Sequence, residues 1–211
     1  MNLVLRDAER LDEITLRRLC PKLTPWIHQA SNPFADWYFG DSAAAAEIIE
    51  SWMTRPSSEL YLGRALLLSE GEGEAPVGCV LGLPGPALAE CRAADFIAFC
   101  DELGGGADAA EVIEEVLPVT RTLFPPVAHD AIYISRVVVD PSRRGQGLGR
   151  ALVERAVDVF RARGHRRFRL DVSADNLAAI RAYQAIGFEV VSTNESAEHG
   201  LRYHAMELIR A

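Results

Sequence analysis

The sequence predicts an α/β fold, and three observations carry that prediction. Residues 132–139 form a nearly continuous β-branched run, the composition of a strand buried on both faces of a sheet. A glycine-rich turn follows, and then Leu148, Leu152, Ala156 and Phe160 recur at helical spacing, marking one apolar helix face that Gly164 can terminate. Beyond it Phe168, Leu170 and Val172 alternate with Arg167, Arg169 and Asp171, the period of a second strand. Strand, tight loop, helix and strand in that order favour a parallel pair with a right-handed crossover.

The remaining elements follow from pattern and punctuation. Residues 2–6 read as a first strand and residues 8–20 as a helix stopped by Pro21. Residues 31–40, SNPFADWYFG, read as a loop dense in aromatics, followed by a helix to about Trp52 that Asp41 or Ser42 caps. Residues 60–69 and 77–83 read as a hairpin turned by the acidic glycine run at 71–74. From 85 to 128 proline and glycine bracket two helical stretches, 87–103 and 109–124, separated by three glycines: a helical insertion. A helix over 176–186, closed by Gly187, leads to strands at 188–192 and 201–209. With no repeat or linker, residues 1–211 are expected to be one domain.

Composition narrows the function classes. With 49% hydrophobic and 25% charged residues, the chain is of ordinary globular type, and its net charge of −8 disfavours nucleic acid or an anionic membrane as the main partner. No basic-then-apolar leader and no 18-residue apolar run is present, so the chain reads as cytoplasmic. Cys20, Cys79, Cys91 and Cys100 show no paired spacing and read as buried free thiols, and no metal site is expected.

The stretch Ser142-Arg143-Arg144-Gly145-Gln146-Gly147-Leu148-Gly149-Arg150 places three glycines where each costs a helix about 1 kcal/mol against alanine. Such a loop before a helix N-terminus offers unpaired backbone N–H groups and the positive end of the helix dipole to an anion. A Walker loop needs GxxxxGK[ST], yet Lys22 is the single lysine; a Rossmann fingerprint needs GxGxxG, yet the glycines here are spaced GxGxG. The stretch instead resembles the acyl-CoA-binding motif of the GNAT superfamily of N-acetyltransferases, Q/R-x-x-G-x-G/A, matched by Arg144, Gly147 and Gly149. Residues 176–188 match a second motif of that family, N-x-x-A-x-x-x-Y-x-x-x-G-F, through Asn176, Ala179, Tyr183, Gly187 and Phe188.

The resemblance implies an acyl-CoA N-acyltransferase fold: a mixed, mostly antiparallel sheet of six or seven strands with a splayed central parallel pair, flanked by helices. It implies acetyl-CoA as co-substrate. The backbone of Val137, Val138 and Val139 would pair with its pantetheine arm. The N–H groups of Arg144, Gly145, Gln146, Gly147, Leu148, Gly149 and Arg150 would hold its pyrophosphate. Asn176 serves equally as a cofactor contact or a helix cap, shared with Asp175. Tyr183 is expected to be the general acid, protonating the departing thiolate. The acceptor is expected to be a primary amine of a small molecule or peptide, acylated by direct attack in a ternary complex. No carboxylate occurs at 131–139, so the base is left open among Asp171, His204, Glu207 and Asp36. The aromatic loop serves either the acceptor pocket or the core, and the 85–128 insertion either covers the acceptor side or forms a homodimer interface. A non-catalytic acyl-CoA sensor and a transferase using another acyl donor are the alternatives.

Overall fold

The computed structural model describes residues 3–40, 42–102 and 107–210. Seven strands, β1 (Val4–Asp7), β2 (Ala65–Ser69), β3 (Gly78–Pro84), β4 (Ala131–Val139), β5 (Arg167–Ser173), β6 (Glu189–Ser196) and β7 (Leu201–Ile209), form one sheet in the order β1-β2-β3-β4-β5-β7-β6. All neighbours are antiparallel except β4 and β5, the parallel pair that the strand–loop–helix–strand pattern predicts.

Helix α6 (Leu148–Ala162) makes that crossover, and its buried Leu148, Leu152, Ala156 and Phe160 are the stripe anticipated from spacing, widened by Val153 and Val157. They pack on one sheet face with Leu66, Leu68, Val80, Ile132, Ile134 and Phe168, and α7 (Leu177–Ile186) adds Ile180 and Ile186 to the same core. The opposite face carries α1 (Glu13–Ala30) and α3 (Ser42–Thr54), whose Leu23, Ile27, Ile49 and Met53 cover Leu67, Cys79, Leu81 and Val138. Both faces of the central strands are therefore sealed, which is why those strands read as unbroken apolar runs.

Several expectations are corrected. Pro21 does not stop the first helix: Ala8–Arg10 is a 3-10 turn, and α1 starts at Glu13, capped by the Asp12 carboxylate on the Thr15 N–H (2.8 Å), and runs through Pro21 and Pro25. An interior proline costs about 3 kcal/mol. Burial of Leu16, Cys20, Leu23, Trp26 and Ile27, at roughly 1.5–3 kcal/mol for each large side chain, outweighs both prolines. The aromatic stretch is not a loop but a short helix, α2 (Phe34–Phe39), and β2 begins only at Ala65 because the Arg64 guanidinium, bonded to the carbonyls of Ser58 and Pro56, holds a 3-10 turn before it. The expected cap of α3 falls on Asp41, outside the described residues, and on Ser42, whose side chain is likewise not described. Helices α4 (Gly85–Glu102) and α5 (Ala107–Leu123) form the connection from β3 to β4, and the glycines between them lie outside the described residues. Cys20, Cys79 and Cys91 are buried free thiols, whereas Cys100 is half-buried.

Phe168 sits fully buried where β4 and β5 touch. Phe168→Ala is expected to lower unfolding free energy by about 3–5 kcal/mol in chemical denaturation, with the m-value unchanged.

Candidate active site

The site begins where two strands part. β4 and β5 pair only at Ala131↔Arg167, Ile132↔Phe168 and Tyr133↔Arg169, after which β4 runs on to Val139 and β5 to Ser173 without further pairing to each other. On its other edge β4 stays bonded to β3, with a register shift that sets Arg136 opposite Leu81 and Ile134 opposite Gly82 and leaves Ser135 as a bulge. One extra residue reverses the in–out alternation of everything beyond it. Ile132 and Ile134 belong to the core under α6, and Val137 and Val139 pack against the same core. Tyr133, Ser135 and Arg136 all line a cavity on the opposite face. The backbone of Val137, Val138 and Val139 thus lies on a stretch of β4 whose β5-facing edge has no strand partner.

The glycine loop sits at the mouth of this bay. The Asp140 carboxylate accepts the Ser142 N–H (3.0 Å) and seeds a 3-10 turn at Pro141–Arg143. Gly145 and Gly147 then adopt φ of +76° and +77°, left-handed values that a side chain resists, and Gly147 starts α6. The first helical return bond is Ala151 N–H to Gly147 C=O (3.0 Å). The expected set loses Arg144, whose N–H closes the 3-10 turn on the Pro141 carbonyl (3.4 Å); among the described residues the N–H groups of Gly145, Gln146, Gly147, Leu148, Gly149 and Arg150 have no protein acceptor, an arrangement that fits a phosphate. Of the side chains here, Leu148 is buried in the core, Arg144 reaches Gln29 (2.8 Å) and Arg150 pairs with Glu154 (2.9 Å).

On α7 the Asn176 carboxamide accepts the Ala179 N–H (3.1 Å), so its oxygen is engaged as the helix cap. Tyr183 is half-buried against the core that takes Val137 and Val139, 6.1 Å from the Phe188 ring centroid. Burial pushes its phenol up to about 12, and no described residue hydrogen-bonds the hydroxyl.

Across the sheet a cavity of about 630 Å³ is walled by Phe34, Tyr38 and Phe39 of α2, Trp52 of α3, Leu88 and Phe96 of α4, and Leu117 of α5, together with Phe124. Its floor is ionic. Glu59 accepts from Arg92 (3.0 Å) and Arg136 (3.1 Å), and Asp95 accepts from Arg55 (2.6 Å) and the Glu59 N–H (2.9 Å). Burial pushes the Glu59 carboxyl up, but Arg92 and Arg136 more than offset it, leaving Glu59 below its ordinary range. Asp95 lies above its own, chiefly through burial.

These features meet a family already described. The acetyltransferase (GNAT) family model matches residues 27–188. The chain belongs to the GNAT acetyltransferase family. It is 43% identical over 77 residues to mycothiol acetyltransferase of Beutenbergia cavernae, covering 36% of this chain and 25% of that protein. It is 42% identical over 83 residues to the ribosomal protein bS18 alanine N-acetyltransferase of Escherichia coli, covering 39% of this chain and 49% of that one. The chain thus spans from a quarter to about half the length of these two relatives. An N-acetyltransferase structure from Staphylococcus aureus Mu50 superposes with a TM-score of 0.66 at 16% identity, over 97% of this chain and 100% of that one, and shares the fold.

For this GNAT chain, the candidate bases fall into different surroundings. Asp171 lines the cavity but accepts from the Tyr133 hydroxyl (3.0 Å) and from Arg169 (2.8 Å). Glu207 is bonded to Arg167 (2.8 Å), His204 Nδ1 pairs with Thr193 (2.9 Å), and the exposed Asp36 is held by Asn32 (2.8 Å) and His28 (3.3 Å). The sequence reading missed Glu59, Arg92 and Asp95. Glu59 meets its partners across 33 and 77 residues of chain, and no local pattern encodes such pairing. Among the described residues, no three His, Cys, Asp or Glu side chains are grouped to hold a metal ion.

Replacing Glu59 leaves two guanidinium groups facing each other in the cavity floor. Glu59→Gln is expected to lower stability by about 3–5 kcal/mol, because breaking a buried pair strands its partners. Differential scanning calorimetry should register a fall in Tm of roughly 10 °C for a chain of this size.

Proposed function

We propose that the chain is an acetyl-CoA-dependent N-acetyltransferase acting on a primary amine of a small molecule or peptide by direct attack in a ternary complex. One observation carries the reading: the bay between β4 and β5 opens onto six N–H groups of the glycine loop that have no acceptor among the described residues. In this reading the backbone of Val137, Val138 and Val139 binds the pantetheine arm as an added strand would, and the N–H groups of residues 145–150 hold the pyrophosphate. Acetyl-CoA, when bound, supplies the thioester whose acetyl group is transferred. The NH₂ of Asn176 adds a contact at the start of α7, and the cavity across the sheet admits the amine. Tyr183 gives its proton to the departing thiolate sulfur. Its raised phenol keeps that proton at every physiological pH.

A covalent acyl-cysteine route is disfavoured, because none of the four cysteines lines the cavity and burial pushes the Cys20 and Cys79 thiols up to about 11 and 12. The names of the two sequence relatives, both acetyltransferases, support the reading over a non-catalytic acyl-CoA sensor. The 85–128 segment serves in it as the outer wall of the acceptor cavity within one catalytic unit. The proposed location is cytoplasmic; among the described residues no helix is long and apolar enough to cross a membrane.

Thiol release from acetyl-CoA, followed across an amine library, tests the proposal. Tyr183→Phe is expected to slow turnover by about 10²-fold while calorimetry finds CoA affinity within a factor of about two. The pH–rate profile should rise as the acceptor amine loses its proton and show no falling limb below about pH 11, since an acid with a raised pKa stays protonated. Equal rates for the two proteins would remove Tyr183 as the acid, and a native chain that binds no CoA would overturn the proposal.

A further inference from the structure

The β4 side of the acceptor cavity is built for an anion. Through the bulge, Ser135 and Arg136 both face the cavity, beside the point where β5 departs. The Ser135 hydroxyl and Arg136 Nε are buried with no hydrogen-bond partner among the described residues. Arg92, on the facing wall, spends Nε on Glu59 (3.0 Å). Its guanidinium lies over the rings of Tyr133 (4.9 Å) and Phe124 (5.6 Å), and its two terminal nitrogens have no described acceptor. Buried donors without acceptors are costly, and two such groups beside a third set of open guanidinium nitrogens point to a ligand oxygen.

Charge points the same way. Around the floor Glu59 is held by Arg92 and Arg136, Asp95 by Arg55, and Asp171 by Arg169, while Glu207 beyond them pairs with both Arg167 (2.8 Å) and Arg169 (3.7 Å). Every carboxylate lining the cavity already holds a guanidinium, Glu59 two of them, and Arg121 lines the cavity as well. A polycationic acceptor finds no free carboxylate there, whereas an anion meets the open terminal nitrogens of Arg92. Above the floor the walls are apolar, with Phe34, Tyr38 and Phe96 giving shape for a bulky group.

We propose that the acceptor is a small amine that carries its own carboxylate and a bulky apolar group, an amino-acid-like molecule whose carboxylate is seated on Arg92, Arg136 and Ser135. The inference rests on the acetyltransferase reading and names the substrate class of that site. The carboxylate fixes the acceptor in the cavity, the apolar group fills the aromatic wall, and the amine is left to reach the thioester from the parting of β4 and β5.

The test pairs phenylalanine, tryptophan, leucine and methionine with their decarboxylated amines and measures kcat/KM for each at saturating acetyl-CoA. For at least one pair the carboxylate form is expected to be favoured by about 10²-fold, the scale of one or two charge-assisted hydrogen bonds. Arg92→Gln should bring that ratio towards one, chiefly by raising KM for the amino acid, and Arg92→Lys should restore part of it. Calorimetric CoA affinity, measured on each variant, separates loss of the clamp from loss of the fold. Decarboxylated amines served as well as their parents would overturn the inference and leave the acetyltransferase standing. No thiol release from any amine by a chain that binds CoA would overturn both.

Discussion

The proposed CoA seat depends on β4 and β5 touching for three residues and then separating. Parallel neighbours normally continue together, because each unpaired backbone group in a dry interior costs about as much as a lost hydrogen bond. Here the separation is held from both sides. Phe168, Ile132 and Ile134 fasten the lower ends of the strands under α6, and β3 and β7 hold their outer edges by long antiparallel ladders. The upper edges are left open to a ligand backbone. The same crossover that joins the two strands delivers the N-terminus of α6 and its unpaired N–H groups to the mouth of the gap.

The bulge at Ser135 adds a second consequence to the first. With regular alternation, β4 would send one polar residue towards the cavity between Tyr133 and Val138; with the extra residue it sends Ser135 and Arg136 together. Arg136 then completes an ion network with residues from the α3–β2 connection and α4. Such a network stabilises less than its short distances suggest, since desolvating each ion costs several kcal/mol. In the proposed acceptor site its stronger effect is on recognition: it fixes Arg92 and Arg136 through Glu59 and leaves Arg136 Nε and the terminal nitrogens of Arg92 without a described acceptor.

Much of this was legible in the sequence, and the boundary is physical. The parallel pair, α6 and its apolar face, and α7 with its glycine stop are encoded in local periodicity and punctuation, so residues 132–188 could be read directly. The Asn176 cap is equally local. Pro21 misled because a single-residue rule ignores the sheet face that α1 buries, and the aromatic stretch misled because Phe34, Trp37 and Tyr38 pack on one another in a helix too short to show periodicity. The bulge could not be read, since register belongs to β3 and β4 jointly. The cavity network could not either: Glu59, Arg92, Asp95 and Arg136 lie on separate elements and meet only after folding.

In the proposed function the open edge of β4 and the glycine loop together form the CoA seat. Amide hydrogen exchange with and without CoA reads those backbone groups directly. Adding CoA is expected to slow exchange at Val137–Val139 and across residues 145–150, with the outer strand β6 unaffected. Unchanged exchange in both segments under saturating CoA, with protection appearing elsewhere, would contradict it.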